Sequence, residues 1–399
     1  MKFPINAFLT LSVASVGTSA IRASSSYIPS RAPAFATFGP NYYRQFSPQA
    51  RSTKQNSPAR SDTAMLSTSS CSTALSTKDR DDLINCPMIT LNNGMSHPAI
   101  GFGTYKVGFV PVSASSAVAS GEAGATNQRT AEECVSDALT CGYRFLECAE
   151  FYGNESEIGK AIAKSGIPRE EMFLCSKVWT TTIERGPDAI RAQFEKTLSD
   201  LGTDYLDLYL VHWPVPGHHV TAYKTLEQLH SEGNVRGIGL SNYAVEDYQE
   251  LKESGITIIP VVNQIEINPF LYRKDTIEFF KKDNVVMQSY RSLRDGKAFD
   301  HPTLSKIACN HSKTAAQILG RWCVQKGMVY MPKSVKTERM VENAKVFDFE
   351  LTQEEMDDLD NLTTPEALDK FLDLYRKCVN RDTSKDGTLD GVKMNITVD

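Results

Sequence analysis

From residue 89 onward, short apolar runs alternate with longer stretches in which apolar residues recur every three or four positions. The first pattern predicts strands buried on both faces, and the second predicts amphipathic helices. Strands are expected at 100–104, 144–149, 172–178, 206–212, 236–241, 261–266, 285–290 and 329–332. The helices between them include 155–164, 187–198, 222–232 and 314–326. Eight β/α pairs in strict alternation imply a parallel sheet covered by helices, and eight fit a closed barrel better than an open sheet. The expected fold class is therefore α/β, a (β/α)8 TIM barrel. Chemistry in such a barrel belongs at the carboxyl ends of the strands. The residues at those ends are polar: Glu147, Lys177, His212, Ser241, Asn242, Gln264, Tyr290 and Lys333.

The chain before the alternation has a different texture. Residues 1–61 contain no Asp or Glu but carry Lys2, Arg22, Arg31, Arg44, Arg51, Lys54 and Arg60 among many Ser, Ala and Pro. Such a stretch cannot bury a core. Lys2, the apolar run 8–16 and the small residues 17–20 resemble a signal peptide, and the acid-poor, Arg- and Ser-rich continuation resembles a transit peptide. The piece Ala32-Pro-Ala-Phe35-Ala-Thr-Phe resembles the cleavage region of proteins imported into complex algal plastids. A plastid is the favoured destination; a mitochondrial presequence, secretion and a retained cytoplasmic tail are the alternatives. The expected organisation is a disordered presequence over 1–80, the barrel over 88–362, and a C-terminal helix and tail over 363–399.

Composition narrows the functional classes. With 41% hydrophobic and 23% charged residues the chain reads as an ordinary globular protein, and a net charge of −5 offers no basic field for nucleic acid. After the leader no run is apolar enough to span a bilayer, so no membrane is expected in the mature form. Nine scattered cysteines without a C-x-x-C pair argue for reduced thiols and against a structural zinc.

Seven further segments share one order along the chain: Leu91-Asn-Asn-Gly-Met, Gly101-Phe-Gly-Thr104, Gly142-Tyr-Arg-Phe-Leu-Glu147-Cys-Ala-Glu-Phe-Tyr152-Gly-Asn-Glu155, Ser176-Lys177-Val-Trp179, Val211-His212-Trp213-Pro214, Gly239-Leu-Ser241-Asn242 and Asn263-Gln264-Ile-Glu266. With Pro332-Lys333-Ser334 they resemble the aldo-keto reductase superfamily in order and spacing. The resemblance implies an N-terminal β-hairpin cap on the barrel. It also implies an enzyme that reduces an aldehyde or ketone to an alcohol with NADPH, working as a monomer on a small-molecule carbonyl substrate.

By this resemblance Tyr152 is the proton donor, Lys177 its activating cation, His212 the imidazole that orients the carbonyl, and Glu147 stands where the family has an aspartate. These residue types suit the reaction. Hydride delivery leaves charge on oxygen, and a phenol of pKa about 10 donates poorly near neutrality unless an ammonium beside it lowers that value. A carboxylate keeps the ammonium charged and placed. Glu147 is one methylene longer than aspartate. It still reaches Lys177 but is expected to displace the carboxylate and disturb its contact with the cofactor ribose.

No G-x-G-x-x-G opens a helix, so a Rossmann dehydrogenase is disfavoured. The resemblance places the NADPH/NADP+ site at Thr104, Ser241, Asn242, Gln264, Tyr290 and Leu293, with Lys333, Ser334, Val335, Arg339, Glu342 and Asn343 around the adenosine 2′-phosphate. Arg291 replaces a family serine after Tyr290 and offers a phosphate donor of its own. Tyr105, Trp179 and Trp213, with His212, line the implied substrate pocket; no metal is implied. Leu368, Phe371, Leu372 and Tyr375 form a helical stripe suited to closing over it. The Ser-, Ala- and Gly-rich insertion over 108–129 reads as a loop, and residues 382–393 as a polar turn, not a calcium loop. The competing function is a regulatory protein that binds NADPH on the same fold without useful turnover, kept in view by Glu147 and Arg291.

Overall fold

The computed structural model of the chain describes residues 77–108 and 129–381. The expectations for the presequence up to 76, for most of the insertion and for the tail from 382 lie outside these residues.

Among the described residues there are ten strands. β1 (Met88–Thr90) and β2 (Ser96–Pro98) form an antiparallel hairpin. β3 (Phe102–Gly103), β4 (Phe145–Glu147), β5 (Phe173–Val178), β6 (Leu206–Val211), β7 (Val235–Ser241), β8 (Val262–Glu266), β9 (Val286–Tyr290) and β10 (Val329–Tyr330) form one parallel sheet in sequential order. A parallel bridge between Ile100 and Tyr330 joins its ends. The Gly101 amide donates to the Tyr330 carbonyl at 2.9 Å, and the Tyr330 amide to the Ala99 carbonyl at 2.9 Å. The sheet is thus a closed barrel, as the alternation predicts.

Side-chain alternation along a strand sorts the residues into two layers. Inward-facing Phe145, Phe173, Cys175, Leu208, Leu210, Val262 and Val329 fill the barrel interior, while Leu146, Leu174, Tyr209 and Val211 join the larger core under the helices. The hairpin supplies Leu91, with Ile89 and Met95, to the interior core, where they meet the residues that begin β4, β5 and β10. It therefore plugs the amino-terminal end, and chemistry is confined to the other mouth. His97 of β2 is fully buried there, between the rings of Phe145 and Phe173 and against the Gln288 amide at 2.8 Å.

The helices start and stop where local chemistry dictates. Thr130 caps Ala131–Cys141 in a reciprocal box with Glu133, and Thr314 caps Ala315–Gln325 with Gln317. The other predicted helices appear as Glu155–Ser165, Pro187–Leu201 and His219–Ser231. One boundary differs from expectation. A helix over Thr77–Ile84 begins inside the segment assigned to the presequence, buries Leu83, and pairs Asp79 with Lys345 at 2.9 Å. A single apolar anchor suffices because Gly142 lets its backbone come close: a Cβ there would lie 2.7 Å from the Arg80 carbonyl. At the other end the helix Pro365–Arg381 brings Phe371 and Tyr375 onto Trp179 and Trp213 at the mouth, as the stripe predicts.

Candidate active site

Period-two alternation carries the polar residues to the mouth. In β5 the inward positions run Phe173, Cys175, Lys177, and the β6 series Leu208, Leu210 continues to His212 just past the strand's end. Glu147 ends β4, and the 3-10 turn Glu150–Tyr152 after it, closed by Gly153 at φ 66°, turns Tyr152 back over the barrel.

The resulting cluster is tight. Lys177, fully buried, donates to Glu147, to the Tyr152 hydroxyl at 3.0 Å and to the Cys148 carbonyl at 2.9 Å. The Tyr152 hydroxyl, on a residue 7% exposed, donates to Glu147 Oε1 at 2.8 Å. The longer carboxylate therefore serves both cation and phenol. His212 packs its ring edge-on to Trp179 at 4.8 Å and to Tyr152 at 6.0 Å, and its Nδ1 has no hydrogen-bond partner among the described residues.

The electrostatics correct one expectation. The Tyr152 pKa is not lowered but held well above the ordinary tyrosine value, first by burial and then by the charge and hydrogen bond of Glu147. Glu147 neutralises the lysine that was expected to acidify the phenol. His212 is held well below the ordinary histidine value by burial, with Lys177 adding repulsion, so its imidazole is neutral and donates a single N–H.

Beside this cluster lies a polar platform. Asn242, at φ 60°, donates to the His212 carbonyl at 3.0 Å and accepts the Tyr290 hydroxyl at 2.7 Å, which fixes the Tyr290 ring at the edge of the mouth. Ser241 donates to the Gln264 carbonyl at 3.0 Å, and Gln264 donates to Gln288 at 2.9 Å. The Thr104 hydroxyl is spent on the Glu147 carbonyl at 2.9 Å, and the Ser334 hydroxyl accepts the Lys336 amide at 3.0 Å to turn its own loop. Lys333 and Arg339 are exposed and enter no ion pair among the described residues, while Asn343 is buried and Glu342 and Leu293 are half-buried. Exposed cations that enter no ion pair among the described residues, together with an amide and ring platform at the mouth, suit a dinucleotide.

Every residue the resemblance assigns to the catalytic cluster and the nicotinamide platform is brought together, and the aromatic wall is larger than expected. Tyr105 lies 5.1 Å from the Tyr152 ring, Trp213 lies 5.9 Å from Tyr375, and Phe151 stacks on Trp179 at 3.9 Å. Phe151 was not singled out from the sequence, nor was Glu150, which accepts the Trp179 amide at 2.7 Å and fixes that wall. Their position beside Tyr152 in a three-residue turn is the signal that was available.

A closed parallel barrel with a buried Lys177–Glu147–Tyr152 cluster beside a platform of polar side chains at its mouth has the layout of a barrel enzyme that moves protons. Comparison with known proteins settles the family: the chain belongs to the Aldo/keto reductase family, whose model matches residues 99–364. It is 38% identical to a glyoxal reductase of Bacillus subtilis over 280 residues, 70% of this chain and 94% of that one. Among solved structures it is similar to an aldo/keto reductase from Brucella melitensis, at 36% identity and TM-score 0.61, covering 70% of this chain and all of that one. It is also similar to a Bombyx mori aldo-keto reductase in complex with NADP, at 27% identity and TM-score 0.61 over 70% of this chain and 93% of the other. The chain is thus a family member built for oxidoreduction of carbonyls with NADP(H).

Proposed function

We propose that this protein is an NADPH-dependent carbonyl reductase that converts aldehydes or ketones to alcohols. The observation that carries the reading is the convergence of Tyr152, Lys177 and Glu147 within hydrogen-bond distance under an aromatic wall that includes His212. Ser241, Asn242 and Gln264 would hold the carboxamide, Tyr290 would stack under the nicotinamide, and Lys333 and Arg339 would neutralise the 2′-phosphate. The two free cations are what favours NADPH over NADH.

Bound NADPH supplies the hydride. The neutral His212 donates its N–H to the carbonyl oxygen and helps carry the charge that develops there. Tyr152 then gives its proton to that oxygen. A phenol with a raised pKa still does so, because an alkoxide is the far stronger base. The tyrosinate left behind lies 3.0 Å from the Lys177 ammonium, which stabilises it. Phe151, Trp179 and Trp213 exclude water and offer apolar surface to the substrate.

The Tyr152 to Glu147 bond is the observation that favours a second reading, a protein that binds NADPH with little turnover, since the proton donor is engaged at rest. The two are separated by following NADPH oxidation by the purified chain with a panel of aldehydes, ketones and small dicarbonyls. The name of the Bacillus relative puts glyoxal first. Turnover is expected, together with a loss of about 100-fold or more in Tyr152→Phe at unchanged NADPH affinity. Tight NADPH binding with no carbonyl reduced would leave the second reading standing. We further propose that the presequence directs plastid import, to be checked by the destination of a fluorescent fusion to residues 1–80.

A further inference from the structure

Two glutamines lie inside the barrel. Gln264 of β8 and Gln288 of β9 are register partners, each two residues beyond an inward-facing valine, and both are buried. Buried amides persist where their hydrogen bonds are met. Here those bonds run in a line from the amino-terminal plug toward the mouth, and the line begins at His97.

The direction of that line is fixed at its start. His97 Nδ1 lies 2.7 Å from the Pro98 carbonyl oxygen, which can only accept, so Nδ1 carries the hydrogen. Burial lowers the pKa of the ring to about 4, so near neutrality Nε2 bears no hydrogen and must accept. The Gln288 amide nitrogen meets Nε2 at 2.8 Å and donates to it. That leaves Gln288 Oε1 to accept Gln264 Nε2 at 2.9 Å. Gln264 Nε2 also donates to Met331 Sδ at 3.7 Å. The Gln264 nitrogen is thus committed within the barrel, and its Oε1 has no hydrogen-bond partner among the described residues. An amide has nearly the same shape either way round, so hydrogen bonds decide which end of Gln264 is left over. On the platform beside it, Asn242 Oδ1 already accepts Tyr290, and Ser241 Oγ accepts Asn242 while donating to the Gln264 carbonyl.

We propose that His97 is a positioning residue for the platform at the opposite end of the barrel: the polarity it imposes on Gln288 and Gln264 presents Gln264 Oε1 to the mouth as an acceptor, and so selects a nicotinamide that carries an N–H group. This rests on the reading of the mouth as a dinucleotide site. With the line reversed, Gln264 would offer a donor there, and a ligand lacking the N–H would fit as well as one that has it. His97 itself touches no ligand; it acts through two amides that it keeps from turning.

The test compares NADP+ with its acetylpyridine analogue, in which a methyl group replaces the amide NH2, by fluorescence quenching of the full chain. The native protein is expected to bind NADP+ about tenfold more tightly, the worth of one hydrogen bond. His97→Phe removes the acceptor that orients Gln288, and should cut that preference to about threefold or less. Gln288→Met should do the same, whereas Gln288→Glu, which keeps an acceptor for Gln264, should retain the preference. A role in packing alone would make the buried carboxylate the more harmful of the two. The ratio of two affinities in one sample does not depend on how much of it is folded. Nitrogen NMR of the imidazoles, assigned by the signals lost in His97→Phe, should find the His97 hydrogen on Nδ1. A hydrogen on Nε2, an undiminished preference in His97→Phe, or equal losses in the two Gln288 variants overturns the proposal while the dinucleotide site stands. A native chain that binds neither dinucleotide overturns both.

Discussion

At the scale of single residues the site turns on one methylene. A carboxylate at the end of β4 is required to compensate a fully buried ammonium, since removing one partner of such a pair costs about 3–5 kcal/mol. Glutamate meets that need and, being longer, also takes the hydroxyl hydrogen of Tyr152. Shortening it is expected to keep the pair and release the phenol. Glu147→Asp should therefore raise kcat several-fold and move the alkaline limb of the pH–rate profile to lower pH, because one of the causes that raise the Tyr152 pKa is withdrawn. A pH series on both proteins checks this, and an unmoved limb with lower kcat would mean that the longer side chain is the better fit. Residues such as Lys177, His212, Ser241 and Tyr290 were legible in the sequence because each ends an apolar strand run with a polar side chain. The Cys148 carbonyl was not, since a main-chain acceptor leaves no trace in residue type, and neither was the hydrogen bond that makes Glu147 restrain the phenol it was expected to help acidify.

At the scale of elements, the strands and helices were readable wherever burial imposes a period. The reading runs out where an element buries a single apolar residue. The helix Thr77–Ile84 buries only Leu83, so it carries no stripe to detect, and the evidence for it lies about 60 residues away in a glycine. Gly142 ends the helix Ala131–Cys141 at φ 110° and leaves no room for a methyl group against the Arg80 carbonyl. Gly142→Ala therefore combines a strained backbone with a clash against main chain, and a loss of about 1–3 kcal/mol is expected. Because the clash is with the N-terminal helix, the first effect should be local. Amide exchange over residues 77–84 should accelerate while exchange in β5 and β6 stays slow. Uniform acceleration would show instead that the turn after Cys141 matters to the whole barrel. The Arg291–Asp295 ion pair is equally invisible to periodicity, because left-handed backbone at arginine and aspartate has no sequence signature.

At the scale of the whole molecule, two buried titratable groups in different layers set opposing dependences on pH. Glu155 lies outside the barrel, accepting Ser176 Oγ at 2.6 Å and Thr197 Oγ1 at 3.0 Å, and burial pushes its pKa up to about 7 from 4.5 against those hydrogen bonds. The folded protein thus holds this proton more tightly than the unfolded chain, and stability falls as pH rises from about 4.5 to about 7. His97 lies inside the amino-terminal plug, where burial lowers its pKa from 6.5 to about 4. The folded state refuses that proton, so stability rises as pH goes from about 4 to about 6.5. Each contribution is about 3 kcal/mol over its window. Across the overlap from about pH 4.5 to 6.5 the two nearly cancel, and the native chain should show a flat unfolding midpoint in urea there. Glu155→Gln keeps a neutral side chain that both donates and accepts, as the protonated carboxyl does, and removes only the titration. Its stability should therefore climb through the same window with the slope of His97 alone, and should lack the native protein's decline toward pH 7. A variant whose profile runs parallel to the native one would mean that Glu155 does not titrate in this range, and the flat region would then need another cause.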